Sequence, residues 1–136
     1  MKKQSRSEAR EAVFTQIFQL WTQRDDMQLA REVLLAEKPE CEQNIGYITD
    51  VTDGIIEHEA EIMDLISKNL KGGWSFKRLS KSMRAILMVA VYEMLFCDDV
   101  PPKVAINEAV ELAKKYCDDK EPSFVNGILG SILKSL

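Results

Sequence analysis

The sequence predicts an all-α protein, a compact bundle of about seven helices in two helical subdomains. Apolar residues recur with the helical period, and convincing strand alternation is absent. The chain has 136 residues and is 46% hydrophobic, which suits one folded domain with a real core. The pair Gly72–Gly73 is a strong helix stop. We therefore expect one domain over residues 1–136, with an N-terminal helical half (1–71) and a C-terminal helical half (74–136).

Three helices are predicted in the N-terminal half. The first begins near Ser5, because Ser5 and Glu8 have the spacing of a capping box. A second helix, over residues 27–36, ends before Pro39 and is expected to turn Leu29, Val33 and Ala36 inward. A long third helix is expected over residues 42–70. Its apolar stripe consists of Ile45, Ile48, Val51 or Thr52, Ile55, Ile62, Leu65 or Ile66, and Leu70.

The C-terminal half begins with a short helical connector over residues 74–79. A helix over 83–97, capped by Ser80 or Ser82, is apolar nearly all round and is therefore expected at the centre of the bundle. Pro101–Pro102 precede a helix over 103–116, and Pro122 opens the last helix. Gly127 and Gly130 lie inside that last helix, which indicates either a close helix crossing or a nearby ligand.

Charge is distributed unevenly along the chain. The whole chain carries a formal net charge of −4. Residues 1–10 contain four basic residues and one acidic residue, a net of +3, so the remainder carries −7. A basic segment on an acidic body suggests a local contact with an anionic partner rather than general affinity for nucleic acid.

Cysteine and histidine give no sign of a metal site. Cys41, Cys97 and Cys117 are widely spaced, and His58 is the one histidine. A structural zinc ion needs about four ligands at short paired spacings. We therefore expect no metal and no cofactor, and reduced thiols in a cytoplasmic protein. The longest apolar run, 85–92, is too short for a membrane span, and no signal peptide is recognised, so no membrane partner is expected.

Two stretches in the last third are characteristic of one family. Residues 100–114 read VPPKVAINEAVELAK, and residues 124–129 read FVNGIL. Both resemble the signatures of the NusB family of bacterial transcription antitermination factors. The family's spacing is also followed by Arg6 and residues 8–12 at the front, and in the middle by Trp74, 78–79, 84–87, Ala90 and 92–94. The resemblance spans the chain, although residues 25–70 match only in pattern.

This resemblance implies a non-enzymatic, RNA-binding antitermination factor. Members bind the boxA element of ribosomal RNA leader transcripts together with NusE, a ribosomal protein, and join an antitermination complex on RNA polymerase with other Nus factors. The positions carried over as RNA-binding are Lys2, Lys3, Arg6, Arg10, Tyr116 and Phe124. Phe18 is expected to contact NusE. The chain departs from the family at Ser5, Ser7 and Glu8, where others carry arginine, at Pro102, and at Lys120 in a loop that is often acidic.

The residues themselves leave alternatives open at these positions. Lysine and arginine neutralise phosphates, but they also occur in solvated termini. Tyr116 and Phe124 suit base stacking, and Phe124 also lies on the apolar stripe of its helix. Asn126 is suited equally to a backbone hydrogen bond and to an RNA contact. Because +3 is a small charge, we expect the N-terminal segment to form one edge of a composite site, with the 116–124 region and bound NusE supplying the rest.

The sequence also allows functions other than RNA binding. Glu108 and Glu111 share a helix face, but pairing with Lys114 or Lys115 on a solvated surface explains them better than acid–base catalysis. His58 is expected to be a core or edge histidine. The alternative functions are a helical adaptor or homodimer, and a non-catalytic RNA-targeting domain related to that of ribosomal RNA methyltransferases.

Overall fold

The computed structural model describes residues 2–23 and 26–136, and within these ranges the regular secondary structure is entirely helical. The α-helices are α1 (Arg6–Gln23), α2 (Met27–Glu37), α3 (Ile45–Glu57), α4 (Glu59–Lys68), α5 (Lys81–Phe96), α6 (Pro102–Tyr116) and α7 (Glu121–Ser135). Two 3₁₀ segments, Pro39–Asn44 and Phe76–Arg78, lie between them. The predicted all-α class and the number of helices are confirmed.

The chain divides into two compact units, one ending at Gly54 and one spanning Ile55–Leu136. The sequence suggested a division at Gly72–Gly73, and that pair lies within the second unit. Both glycines have positive φ, 69° and 80°, a conformation that L side chains rarely adopt. They follow the end of α4 and turn the chain toward the second 3₁₀ segment.

Helix α1 begins as its sequence predicts. The Ser5 N–H donates to Glu8 Oε1 at 3.0 Å, and the Glu8 N–H donates to Ser5 Oγ at 3.0 Å. This reciprocal capping box satisfies two backbone donors at the start of the helix. The buried stripe of α1 contains Ala9, Ala12, Val13, Phe14 and Ile17. In the first unit, α1 packs against α2 and the first 3₁₀ segment.

The predicted inward face of α2 is wrong. Leu29 and Val33 are 55% and 46% exposed, Ala36 is also exposed, and Leu34 is the buried residue of this helix. Apolar residues occupy most positions of the sequence MQLAREVLLAE, so periodicity does not select one face. The packing of α2 against α1 and the first 3₁₀ segment makes the selection, and it buries the side that carries Leu34.

The predicted long helix over 42–70 is also wrong, because it is interrupted at His58. There φ is −105° and ψ is 20°, and α4 begins at the next residue. The His58 ring stacks on Phe96 with centroids 4.2 Å apart, and His58 Nδ1 lies 2.8 Å from Glu61 Oε1. These contacts compensate for the lost helical geometry. Most of the predicted apolar stripe is buried, namely Ile48, Val51, Ile55, Ile62 and Ile66, whereas its ends, Ile45 and Leu70, are only half-buried.

Helix α5 is the centre of the second unit. Every residue from Ala85 to Val91 is buried. The helix packs against α4, α6 and α7. Ser80 caps it by accepting a hydrogen bond from the Met83 N–H at 3.2 Å. The expectation that this helix is central is confirmed, and none of the described helices is both long and apolar enough to cross a membrane.

Helix α7 places its two glycines on open surface. A Cβ atom built on Gly127 or Gly130 would meet no heavy atom within 4 Å. The close helix crossing that these glycines suggested is therefore wrong, and the alternative of a nearby ligand remains. The buried residues of α7 are Val125, Ile128, Leu129 and Ile132.

Candidate nucleic-acid interface

The part of the basic segment that precedes α1 is anchored to the first 3₁₀ segment. Gln4 is only 8% exposed, and its Nε2 donates to Cys41 Sγ at 3.1 Å. Its Oε1 accepts a hydrogen bond from Asn44 Nδ2 at 3.0 Å. Gln43 holds the backbone, since its Oε1 accepts from the Gln4 N–H at 2.9 Å and its Nε2 donates to the Lys2 carbonyl at 2.7 Å. The segment is thus held in one conformation beside α1.

Lys2 is exposed and paired with the capping carboxylate. Its Nζ lies 3.0 Å from Glu8 Oε2. The hydrogen bond from the Ser5 N–H, followed by that from Lys2, lowers the pKa of Glu8 to about 2. The same pairing raises the pKa of Lys2. Glu8 therefore stays ionised, caps the helix and offsets part of the positive charge.

Arg6 and Arg10 are both close to the Tyr47 ring but differ in exposure. The guanidinium carbon of Arg6 lies 4.2 Å from the ring centre, and that of Arg10 lies 5.8 Å from it. Arg6 is exposed, whereas Arg10 is only 4% exposed. A cation held over an aromatic ring is restrained while it keeps its charge. Among these two arginines, Arg6 offers its charge to solvent in this conformation.

Lys2, Lys3 and Arg6 are thus all exposed near the start of the chain, and the charge of Lys2 is partly offset by Glu8. Further along α1, Phe18 is half-buried, and its ring lies 6.2 Å from that of Phe14. Phe18 therefore keeps some exposed surface.

Two predicted aromatic residues lie in the second unit, at either end of the loop between α6 and α7. Tyr116 is the last residue of α6 and is 40% exposed, with Lys115 Nζ 5.5 Å from its ring centre. Phe124 lies in the first turn of α7 and is half-buried. Neither ring belongs to the buried core, so both keep surface for stacking. Asn126, two residues after Phe124, is exposed.

Phe124 is paired with a residue that the sequence did not indicate as part of the site. The Trp74 ring lies 5.9 Å from that of Phe124, at an interplanar angle of 56°. Trp74 is 48% exposed, and the Arg78 guanidinium lies 5.5 Å from its ring centre. The sequence indicated a helical connector at residues 74–79 and a match of Trp74 to the family's spacing, but no contact with Phe124, because 50 residues separate the two. The single local signal was a tryptophan directly after two glycines.

Two grooves flank Phe124, and Lys120 contributes to both. One, of about 410 Å³, is lined by Trp74, Arg78, Leu79, Ser80, Met83, Lys120, Glu121 and Phe124. The other, of about 450 Å³, is lined by Asn69, Lys71, Lys120, Ser123, Phe124, Gly127, Ile128 and Ser131. The open surface at Gly127 therefore forms part of a groove. Each groove combines an aromatic ring with cationic side chains.

The remaining polar candidates have structural roles. Lys114 Nζ lies 3.3 Å from Glu111 Oε1, in agreement with a solvated, paired helix face. Burial raises the pKa of the Cys117 thiol to about 12, and its hydrogen bond to Glu121 adds to the rise. The raised pKa keeps the thiol protonated at neutral pH, so little of the reactive thiolate is present. His58 lies at an edge, stacked on Phe96.

Comparisons with known proteins assign this architecture. The model of the NusB family matches residues 7–134. Transcription antitermination protein NusB of Lactiplantibacillus plantarum is 38% identical over 133 residues, which cover 96% of each chain. The solved structure of T. maritima NusB matches with a TM-score of 0.85 and 39% identity, over 98% of this chain and 93% of that one.

A further solved structure contains partners. In a crystal structure of the antitermination factors NusB and NusE in complex with dsRNA, one chain matches with a TM-score of 0.81 and 29% identity. The match covers 96% of this chain and 97% of that one.

Proposed function

The chain belongs to the NusB family, and from this premise we propose that it is an RNA-binding transcription antitermination factor. It binds boxA RNA of ribosomal RNA leader transcripts together with NusE, as part of an antitermination complex on RNA polymerase in the bacterial cytoplasm. It acts by binding and carries out no reaction of its own.

The observation that carries this proposal is the anchored basic segment. Hydrogen bonds from Gln4 and Gln43 fix its backbone, and Lys2, Lys3 and Arg6 are exposed along it. A segment already ordered before binding loses less conformational entropy when it contacts a phosphate backbone. Charge alone gives little sequence preference, so these side chains position the RNA rather than identify it.

The aromatic residues supply contacts of another kind. Tyr116 and Phe124 keep exposed ring surface on which unpaired bases can stack, a contact that is sequence-tolerant and independent of salt. Arg10 is assigned to the RNA-binding surface of the basic segment. Because Arg10 is buried, a small rearrangement must accompany its contact with a phosphate. Phe18 is proposed to contact NusE through the exposed part of its ring.

The salt dependence of RNA affinity tests the assignment of phosphate contacts. Each contact with a single strand adds about 0.7 to the slope of log K against log salt concentration. We expect Lys3→Ala and Arg6→Ala each to lower the slope by about that amount when boxA RNA is titrated in the presence of NusE. Lys134→Ala, which removes an exposed charge near the C-terminal end of α7, is the matched control and should leave the slope unchanged. Equal slopes for the unmodified chain and the three variants would contradict the assignment.

A further inference from the structure

Trp74 is a large aromatic residue that lies on the surface of the second unit. It follows two glycines whose positive φ angles turn the chain sharply, and nearly half of its surface remains in contact with solvent. The next aromatic residue along the chain, Phe76 in the second 3₁₀ segment, is buried instead. An indole left on the surface beside a groove is a typical anchor for a ligand with a flat face.

The geometry of the aromatic pair leaves room for such a ligand. The Trp74 and Phe124 rings meet at 56° with centroids 5.9 Å apart, which is a tilted contact and not a parallel stack. A flat base does not fit between them, because a base sandwiched by two rings needs two stacking distances. Part of the Trp74 surface remains exposed, and both aromatic residues line the groove of about 410 Å³. This volume lies within the range of small-molecule sites and suffices for one nucleotide.

The charged residues of this groove indicate the class of ligand. Arg78 and Lys120 line it, together with one acid, Glu121, so these three ionised side chains carry a net charge of +1. The Arg78 guanidinium already lies against the Trp74 ring, where it can contact a phosphate next to a stacked base. The Glu121 carboxylate is a hydrogen-bond acceptor for the amino group of a base. Aromatic surface beside cations favours a single-stranded nucleic acid over an apolar protein segment.

We propose that the groove between Trp74 and Phe124 binds one unpaired nucleotide of the RNA, with its base stacked on Trp74 and its phosphates contacted by Arg78 and Lys120. The inference rests on the proposed function and extends the RNA site to Trp74, Arg78 and Lys120. It also gives Phe124 a second role, since its ring holds the indole in place from one side.

Intrinsic fluorescence tests this directly, because the chain contains only two tryptophans. In a Trp21→Phe variant, Trp74 is the sole indole. We expect single-stranded boxA RNA to quench its emission with the same midpoint as an independent anisotropy titration of labelled RNA. An RNA with an abasic site at the contacted nucleotide should bind more weakly and quench less.

Substitutions separate stacking from charge. Trp74→Leu, which keeps an apolar side chain without a ring, should weaken RNA binding by about 5- to 150-fold and leave the salt slope unchanged. Trp74→Phe should retain most of the affinity, which guards against a loss due to misfolding. Arg78→Gln should lower the salt slope by about 0.7. Lys134→Ala is again the control.

Each outcome bears on one of the two proposals or on both. RNA binding by anisotropy with unchanged Trp74 emission, together with wild-type affinity of Trp74→Leu, would overturn this inference and leave the proposed function standing. Absence of any RNA binding would overturn both. A change in Trp74 emission on addition of NusE alone, with no further change on addition of RNA, would assign the groove to a protein partner instead.

Discussion

The anchoring of the basic segment makes a quantitative prediction for Gln4→Ala. The Gln4 side chain donates to Cys41 Sγ and accepts from Asn44 Nδ2, and both bonds are lost in the variant. At about 0.5–1.5 kcal/mol for each bond, the anchor loses about 1–3 kcal/mol. Because residues 2–5 lie outside the helices and are held largely by these side-chain hydrogen bonds, they are expected to detach locally while the rest of the unit stays folded.

In this variant the segment must become ordered when RNA binds, so the free energy of ordering it reduces the affinity for RNA. An ordering cost of about 1–3 kcal/mol corresponds to a loss of affinity of roughly 5- to 150-fold. No charge is removed, so the salt slope should not change. Anisotropy titration of boxA RNA at two salt concentrations measures both quantities, and amide hydrogen exchange of residues 2–5 reports the detachment.

The matched control is Gln28→Ala, which truncates an exposed glutamine in α2. It should bind RNA as the unmodified chain does. Detachment of residues 2–5 without any loss of affinity would refute the argument that anchoring assists binding. A fall in the salt slope would show that Gln4→Ala disturbs the phosphate contacts themselves.

Three further predictions concern the fold. The pKa of Glu8 is lowered to about 2, so its ionised form stabilises the start of α1 fully above about pH 4.5, and this stabilisation should disappear as the pH falls toward 2. An NMR titration of the Glu8 carboxyl measures the pKa, and an ordinary midpoint near 4.3 would contradict the prediction. With a pKa of about 12, the Cys117 thiol should be alkylated at pH 8 roughly a thousandfold more slowly in the folded chain than in the denatured chain. Mass spectrometry measures both rates, and equal rates would be inconsistent with the burial of the thiol. Gly130→Ala adds a methyl group in open space within a helix and should stabilise the protein by about 0.5–1 kcal/mol, a rise in melting temperature of roughly 2–5 °C; an unchanged or lower melting temperature would show that the glycine is required.

Features encoded locally were predictable from the sequence. The capping box of Ser5 and Glu8 depends on residues three apart, and the burial of α5 follows from its continuous apolar composition. The breaks at Gly72–Gly73 and before Pro102 depend on backbone preferences of single residue types. In each case the determining interaction lies within a few residues along the chain.

Features that depend on packing partners were not predictable in the same way. The face that α2 buries is selected by α1 and the first 3₁₀ segment, and the interruption at His58 accompanies stacking on Phe96, 38 residues later. The site shows the same limit. The basic residues could be read from composition, but the Gln4–Cys41 bond and the Trp74–Phe124 pair join distant positions. The family resemblance supplied Tyr116 and Phe124, whose roles the residue pattern alone left open.

The central claim is that this chain recognises boxA RNA together with NusE. The most direct measurement is the equilibrium affinity for boxA RNA and for a scrambled RNA of equal length and composition, both with saturating NusE at one physiological salt concentration. We predict tighter binding of boxA RNA by at least about tenfold, which corresponds to about 1.4 kcal/mol. Equal affinities for the two RNAs would contradict the claim, and the basic segment would then be a general polyanion contact.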